Sequence, residues 1–370
     1  MVEWKKLGEV CTFNRGRTIT AKDAVDGDIP VIAGGQTPSY YHNESNREGE
    51  SITVAGSGAY AGFVSYWNKP IFVSDAFTVD PSQSIKHKYL FQWLKMNQNR
   101  IFETQKGAGV PHVHGKDIAN FLIPIPSLEE QTRIVGILDT FTSAIDNLKE
   151  QIAQRRKQYE YYRDQLLDLE GKEVIETLSF GNDFQLKARI GWQGLTKKEY
   201  KSSGDYKLVT GTDFTGNLRI DFASCVFVEK ERYEQDEYIK LKVGDVLITK
   251  DGTLGKVAYI DQLDMPATLN GGVFVVRDPK RKVLPKFIMY YLTSYHFKKW
   301  MQQNHTTGSI QHLTQKLLSS FTIPVLPEAE QQRIVSILDT FEASIQNLEA
   351  QLKEREKQYE YYRNKLLTFE

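Results

Sequence analysis

One stretch of this sequence occurs twice, and it limits the folds open to the rest. Pro124–Glu170 and Pro324–Glu370 align without a gap at a constant offset of 200 residues, with 26 of 47 positions identical, including the run Lys157-Gln-Tyr-Glu-Tyr-Tyr-Arg163. A repeat of this length is too long for a solenoid and marks duplication of half a protein. Each copy carries a strict heptad. In the first, Leu138, Ile145, Ile152 and Tyr159 form one line, and Phe141, Leu148 and Tyr162 form the other. In the second, the lines are Leu338, Ile345, Leu352, Tyr359 and Phe341, Leu348, Tyr362. Steps of three and four make the seam of a coiled coil. Arg155 and Arg355 alone break its apolar character. A 3.5-residue period over about five heptads calls for a partner helix. The nearest partner is the other copy, lying antiparallel, with Tyr159 and Tyr162 near the start of the partner helix.

The stretches before each helix are different in kind. Residues 1–123 read as short strands separated by glycine and proline, among them Ile29–Ala33, Ser51–Ala55, Phe63–Trp67 and Phe121–Ile125. A helix is expected over Lys88–Lys106. Residues 171–183 read as a polar connector. Residues 184–323 repeat the plan with little identity, with strands near Lys207–Val209, Val246–Thr249, Val257–Ile260 and Gly272–Val276, and a helix over Pro285–Gln302. The expected fold class is α+β. Two mixed α/β domains, 1–123 and 184–323, alternate with a helical region and connector (124–183) and a C-terminal helix (324–370), in a pseudo-twofold arrangement around an antiparallel coiled coil.

Formal net charge is zero, but its distribution is uneven. The two globular stretches together carry +8 and the two helical stretches −8. A field split in this way draws a polyanion to the globular parts and away from the helices. No apolar run reaches about 18 residues and no signal peptide is evident, so a cytoplasmic protein with no membrane contact is expected.

Catalytic motifs are missing. Gly56-Ser-Gly58-Ala-Tyr-Ala-Gly62 misses the dinucleotide fingerprint by one residue and leads into a strand instead of a helix, so it reads as a turn. There is no phosphate-binding GxxxxGK[ST], no metal-spaced His/Cys set and no methyltransferase or nuclease signature. The chain is read as no enzyme, with no catalytic or metal residues. What remains is recognition chemistry: strand-end loops rich in the side chains that reach phosphates and base edges. The candidates in the first domain are Asn14, Arg15, Arg17, Gln36, Tyr40, Ser57, Tyr60, His112 and Lys116. In the second they are Thr210, Thr212, Lys250, Thr253, Thr307, Gln311, His312 and Lys316. The 200-residue offset already pairs His112 with His312 and Lys116 with Lys316.

The whole chain resembles the specificity subunit of type I restriction–modification enzymes. The resemblance rests on Trp4-Lys-Lys-Leu-Gly-Glu-Val10 with Arg15-Gly-Arg-Thr18. It rests also on Ile123-Pro-Ile-Pro126 leading into Glu130-Gln131-Thr-Arg133-Ile134, and on Ile137-Leu-Asp139, matched by Ile323-Pro324, Glu330-Gln331-Gln332-Arg333-Ile334 and Ile337-Leu-Asp339. It implies two target-recognition domains, each reading half of a bipartite site in double-stranded DNA across an unread spacer. It implies conserved helices that pack antiparallel and bind two methyltransferase subunits, with restriction and translocation subunits joining outside. No cofactor is then expected in this chain; S-adenosylmethionine, ATP and magnesium belong to the partners. The competing readings are a coiled-coil adaptor presenting two modules for ligands other than DNA, and an enzyme that cuts DNA itself. A steep fall of affinity with salt separates DNA binding from the adaptor.

Overall fold

The computed structural model describes residues 2–189, 194–304 and 313–369. It divides into two compact units, Met1–Lys149 with Ala350–Glu370, and Glu150–Glu349.

In chain order the first unit contains β1 (Glu3–Lys6), α1 (Leu7–Val10), β2 (Cys11–Arg15), β3 (Ile29–Ile32), β4 (Tyr40–His42), β5 (Ser51–Ala55), β6 (Val64–Trp67), β7 (Phe72–Val73) and β8 (Ala76–Pro81). These are followed by α2 (His87–Met96), α3 (Gln98–Phe102), α4 (Gly115–Ile118), β9 (Leu122–Ile125) and the first part of α5 (Leu128–Leu166). A four-stranded antiparallel sheet runs β2-β8-β5-β6. A three-stranded sheet runs β4-β3-β7 with β3 and β7 parallel, and β1 pairs with β9. All five residues of β5 are buried, so it carries no charge, and the buried Thr53 hydroxyl accepts from the Trp67 indole at 2.9 Å.

The second unit contains the rest of α5, β10 (Glu176–Ser179), β11 (Gln185–Lys187), β12 (Lys207–Val209), β13 (Val226–Phe227), α6 (Lys230–Glu234), β14 (Val246–Thr249), β15 (Val257–Tyr259), β16 (Ala267–Leu269) and β17 (Val273–Arg277). Then come α7 (Pro285–Thr293), α8 (Tyr295–Gln303), α9 (Gln315–Ser319), β18 (Thr322–Val325) and the first part of α10 (Glu328–Thr368). Its sheets run β11-β17-β14-β15, β13-β12-β16 with β12 and β16 parallel, and β10-β18. This is the strand plan of the first unit, repeated in full.

Three expectations are corrected. The helix expected over Lys88–Lys106 ends at Met96, where Asn97 folds its amide back onto the Trp93 carbonyl at 2.9 Å. The helix expected over Pro285–Gln302 is likewise broken, at Ser294, which sits in extended backbone and donates its hydroxyl to the Tyr291 carbonyl. A side chain that satisfies a helix carbonyl in this way competes with the helix's own hydrogen bonds. The stretch read as a polar connector holds β10, whose Glu176 pairs across the sheet with Val325.

Each unit closes its core with pieces of both long helices. In the first, Ile134 and Leu138 of α5 and Leu367 of α10 are fully buried with Trp93, Leu90 and Ile123. In the second, Leu167, just past α5, joins Ile334 and Leu338 of α10 around Phe287 and Tyr290. The helices meet in opposite directions within each unit. Phe141 stacks on Tyr362 with ring centres 5.3 Å apart in the first, and Tyr162 on Phe341 at 5.4 Å in the second. Leu138, Ile145, Ile152 and Leu338 are buried, whereas Leu148, Tyr159, Ile345, Leu348, Leu352 and Tyr359 are half-buried. The two arginines that interrupt the heptad lie over aromatic faces of the opposing helix: Arg355 over Phe141 at 5.8 Å and Arg155 over Phe341 at 6.0 Å. Their charge faces the ring quadrupole instead of an apolar side chain.

The glutamine of the Glu-Gln-x-Arg-Ile signature is a clasp. Gln131 is fully buried; its Oε1 accepts from the Lys86 amide at 2.8 Å and its Nε2 donates to the Ser84 and Pro126 carbonyls. Gln331 makes the same set with the Leu284 amide and the Lys282 and Leu326 carbonyls. Lys88 with Asp139 and Lys286 with Asp339, each at 2.6 Å, complete the joint between each domain and the helix that follows it.

Candidate nucleic-acid interface

In the first unit, three chain segments are laced together at one end of the four-stranded sheet. The Gly56 amide donates to the Asp75 carbonyl, the Val113 amide to the Gly56 carbonyl and the Gly58 amide to the Pro111 carbonyl, each at 3.0 Å. Gly58 has φ of 87°, which only glycine adopts without strain, so the turn after β5 needs it. Lys106 and His112 exchange backbone hydrogen bonds and close the intervening glycine-rich loop. The result is an open groove of about 480 Å³ lined by Phe13, Arg15, Thr18, Asp75, His112, His114 and Lys116, among others. The His112 and His114 rings lie nearly parallel, 6.3 Å apart. Behind them Lys106 pairs with Asp117. Burial raises the pKa of this carboxyl, but the Lys106 ammonium and the His114 amide outweigh it and hold the pKa below its ordinary value.

The groove therefore brings together Arg15, His112 and Lys116 of the sequence candidates. Ser57 borders it, with its hydroxyl donated to Asp75. The others lie elsewhere. Asn14 donates to Asp80 at 2.7 Å. Arg17 lies over Phe72 at 5.1 Å and beside Glu44. Tyr40 donates its hydroxyl to the Ile19 carbonyl at 2.6 Å, and burial, with Asp23 nearby, raises its pKa. Gln36 and Tyr60 are exposed on turns. Thr18, Asp75 and His114 were not among the candidates. His114 shares a loop with His112, a signal visible in the sequence; Asp75 stands in an apolar run and becomes a groove residue only through strand pairing.

The second unit repeats the lacing. The Lys250 amide donates to the Gly272 carbonyl at 2.9 Å, and the Leu313 amide to the Lys250 carbonyl at 3.0 Å. The Lys250 ammonium lies over the Phe274 ring at 5.2 Å. Thr253 is exposed on the turn and its carbonyl accepts from the Thr249 hydroxyl. Thr210 gives both its amide and its hydroxyl to the buried Asp213 carboxylate, at 2.7 and 2.9 Å, and shares a hydrogen bond with the exposed Thr212. Lys316 is exposed on α9. Thr307, Gln311 and His312 lie outside the described residues.

A second cavity, of about 540 Å³ and wholly within the second unit, is lined by Tyr159, Arg163, Asn217, Thr293 and Glu342, among others. Burial pushes the Glu342 carboxyl up to about 7, against the pull of Arg219 3.8 Å away and with the help of Asp339. The first helix copy has Thr142 at the matching position. Among the described residues, no group of three His, Cys, Asp or Glu side chains is placed to hold a metal ion, and no helix is long and apolar enough to cross a membrane.

The family model of the type I restriction modification DNA specificity domain matches residues 1–155 and again 193–356. The chain belongs to that family. A relative in Escherichia coli, the type I restriction enzyme EcoR124I/EcoR124II specificity subunit, is 29% identical over 409 residues, spanning 100% of this chain and 94% of the relative. The S subunit of a type I restriction–modification system from M. genitalium superposes with a TM-score of 0.63 at 18% identity, over 100% of this chain and 97% of that one. A chain from work on complex assembly and conformational transition of the type I system gives 0.60 at 18% identity, over 99% and 97%. At such identity these structures speak for the fold, and the repeated sheets and paired long helices are that fold.

Proposed function

We propose that the chain is the DNA-reading subunit of a type I restriction–modification complex, each globular domain contacting one half of a bipartite site in double-stranded DNA. The observation that carries this reading is one strand plan built twice, in a chain of this family, with different polar side chains at the matching sheet ends. The repeated helices dock two methyltransferase subunits, and through them restriction subunits. The exposed Tyr161 and Tyr361, 62% and 60% accessible, are the apolar part of that docking face. S-adenosylmethionine, ATP and magnesium act on those partners, in the cytoplasm, where the DNA is. In the groove, Arg15 and Lys116 meet phosphate, and the His112 and His114 rings reach base edges.

The domain boundaries 1–123, 124–183, 184–323 and 324–370 are part of the proposal and supply its test. Exchanging residues 184–323 for the matching domain of a relative, then mapping methylated adenines in DNA exposed to the assembled complex, changes one half of the methylated site and leaves the other. A change in both halves, or in neither, overturns separate reading heads.

A further inference from the structure

We propose that each globular domain reads an exocyclic base amino group, cytosine N4 or adenine N6, through one carboxylate at the end of its four-stranded sheet: Asp75 in the first and Asp251 in the second. The inference rests on the DNA-reading role proposed above and assigns the residue that gives each reading head part of its specificity.

Asp75 is exposed in a groove otherwise supplied with Arg15, His112, His114 and Lys116. A carboxylate turned toward phosphate would repel it. In a groove that receives a polyanion, the place where an acid is favourable is opposite a hydrogen-bond donor on a base edge, and in the major groove those donors are the amino groups of cytosine and adenine. The carboxylate is held for the task. The Ser57 hydroxyl donates to Oδ2, leaving the other lone pairs free to accept. A Cβ built on Gly56 would lie 3.1 Å from Asp75 Oδ1, so the bare backbone of the β5 turn closes against the acid.

The second domain reaches the same arrangement by a different residue. By its backbone hydrogen bond to Lys250, Gly272 takes the place of Asp75, and it has no side chain. The place of Ser57 is taken by Asp251, one residue beyond Lys250. A Cβ built on Gly272 would lie 3.5 Å from Asp251 Oδ2. The acid thus occupies the same corner, projected from the opposite strand. Gly56, Ser57 and Asp75 are matched by Lys250, Asp251 and Gly272, with no side chain in common, yet each corner has one carboxylate at the sheet end.

The test uses the chain assembled with its methyltransferase partners. Methylated sites are mapped for the wild type, Asp75→Asn and Asp251→Asn. Asp75→Asn should relax or switch one base position in one half-site, lowering discrimination there by about 5- to 150-fold, with the other half unchanged. Asp251→Asn should do the same in the opposite half. Duplexes with 2-pyrimidinone in place of cytosine, or purine in place of adenine, at the affected position should bind the wild type more weakly and leave the Asn variant indifferent; which analogue does so identifies the base. Ser57→Ala keeps the carboxylate but loosens it, and should weaken discrimination at the same position, which keeps the assignment testable if Asp75→Asn fails to fold. Unchanged sites for folded Asp75→Asn and Asp251→Asn, or an equal loss of affinity for all sequences, overturns the assignment. A wild-type complex without sequence-dependent binding instead defeats the DNA-reading role itself.

Discussion

The two long helices repeat each other residue by residue, whereas the two globular domains repeat each other strand by strand. The difference lies in what each position has to touch. A seam residue such as Phe141 or Phe341 faces a tyrosine and an arginine of the opposing helix, and Gln131 or Gln331 must meet one amide and two carbonyls at once. Such positions accept few side chains. A strand such as β5 or β14 needs mostly small or β-branched side chains that pack, with a buried hydroxyl satisfied where one occurs, so SITVA and VLIT both serve. The sheet ends need neither, and there the domains differ most: Gly56-Ser57 against Lys250-Asp251, and Asp75 against Gly272.

This contrast predicts symmetry wherever the helices join the domains. Leu138→Ala and Leu338→Ala remove fully buried side chains at matching places, and each is expected to cost about 2–5 kcal/mol of its own unit's stability. Hydrogen exchange resolved by unit checks it; destabilisation of the other unit alone would break the comparison.

The next effect should be asymmetric. Glu342 is buried and titrates at about 7 in the fold against an ordinary 4.5. The folded chain therefore holds this proton more tightly than the unfolded one. Its contribution to stability is full below pH 4.5 and is lost as pH rises through about 7, on the order of 3 kcal/mol in all. Glu342→Gln is expected to flatten the pH dependence of the second unit between those values. The first unit, with Thr142, has no such slope from this position. Urea midpoints taken from pH 4 to 8 decide it: the same slope in wild type and variant would show that Glu342 is not its source.

The smallest effect tests the clasp. Gln131→Ala and Gln331→Ala each leave a buried amide and two carbonyls without their partner, about 1–3 kcal/mol by the cost of an unsatisfied group. Equal losses would sharpen the comparison, and a loss confined to one domain would mean that the two joints are only formally alike.

Much of this architecture was legible in the sequence, for reasons that vary from part to part. The helices and their antiparallel pairing were readable because a heptad is a local pattern and its partner was the only other one in the chain. Ser51–Ala55 and Val246–Thr249 were readable because they are short runs rich in β-branched residues with no charge, bounded by glycine-containing turns. Asn97 and Ser294 were not read as breaks, since a carbonyl-capping side chain looks like any polar residue on a helix surface. Glu176–Ser179 was not read as a strand, because its partner is distant in sequence: Glu176 pairs with Val325, 149 residues on. Arg15, His112 and Lys116 came from strand-end logic and from the repeat. Asp75 did not, because only the folded sheet sets it beside Ser57.

The contribution of α10 to the first unit has a consequence for synthesis. Leu367 is buried with Leu7 and Trp93, in a core that joins segments about 360 residues apart in sequence. The second unit, Glu150–Glu349, is one continuous segment. Domains usually fold in the order in which they leave the ribosome; here the first unit, although it starts earlier, must wait for residues 350–369, which follow the whole of the second. Nascent chains arrested once residue 349 has emerged should resist protease across the second unit and be cut in the first. If the first unit is already resistant at that length, its core does not depend on Leu367. A messenger cut short would then yield a chain whose later reading head is finished and whose earlier one is not.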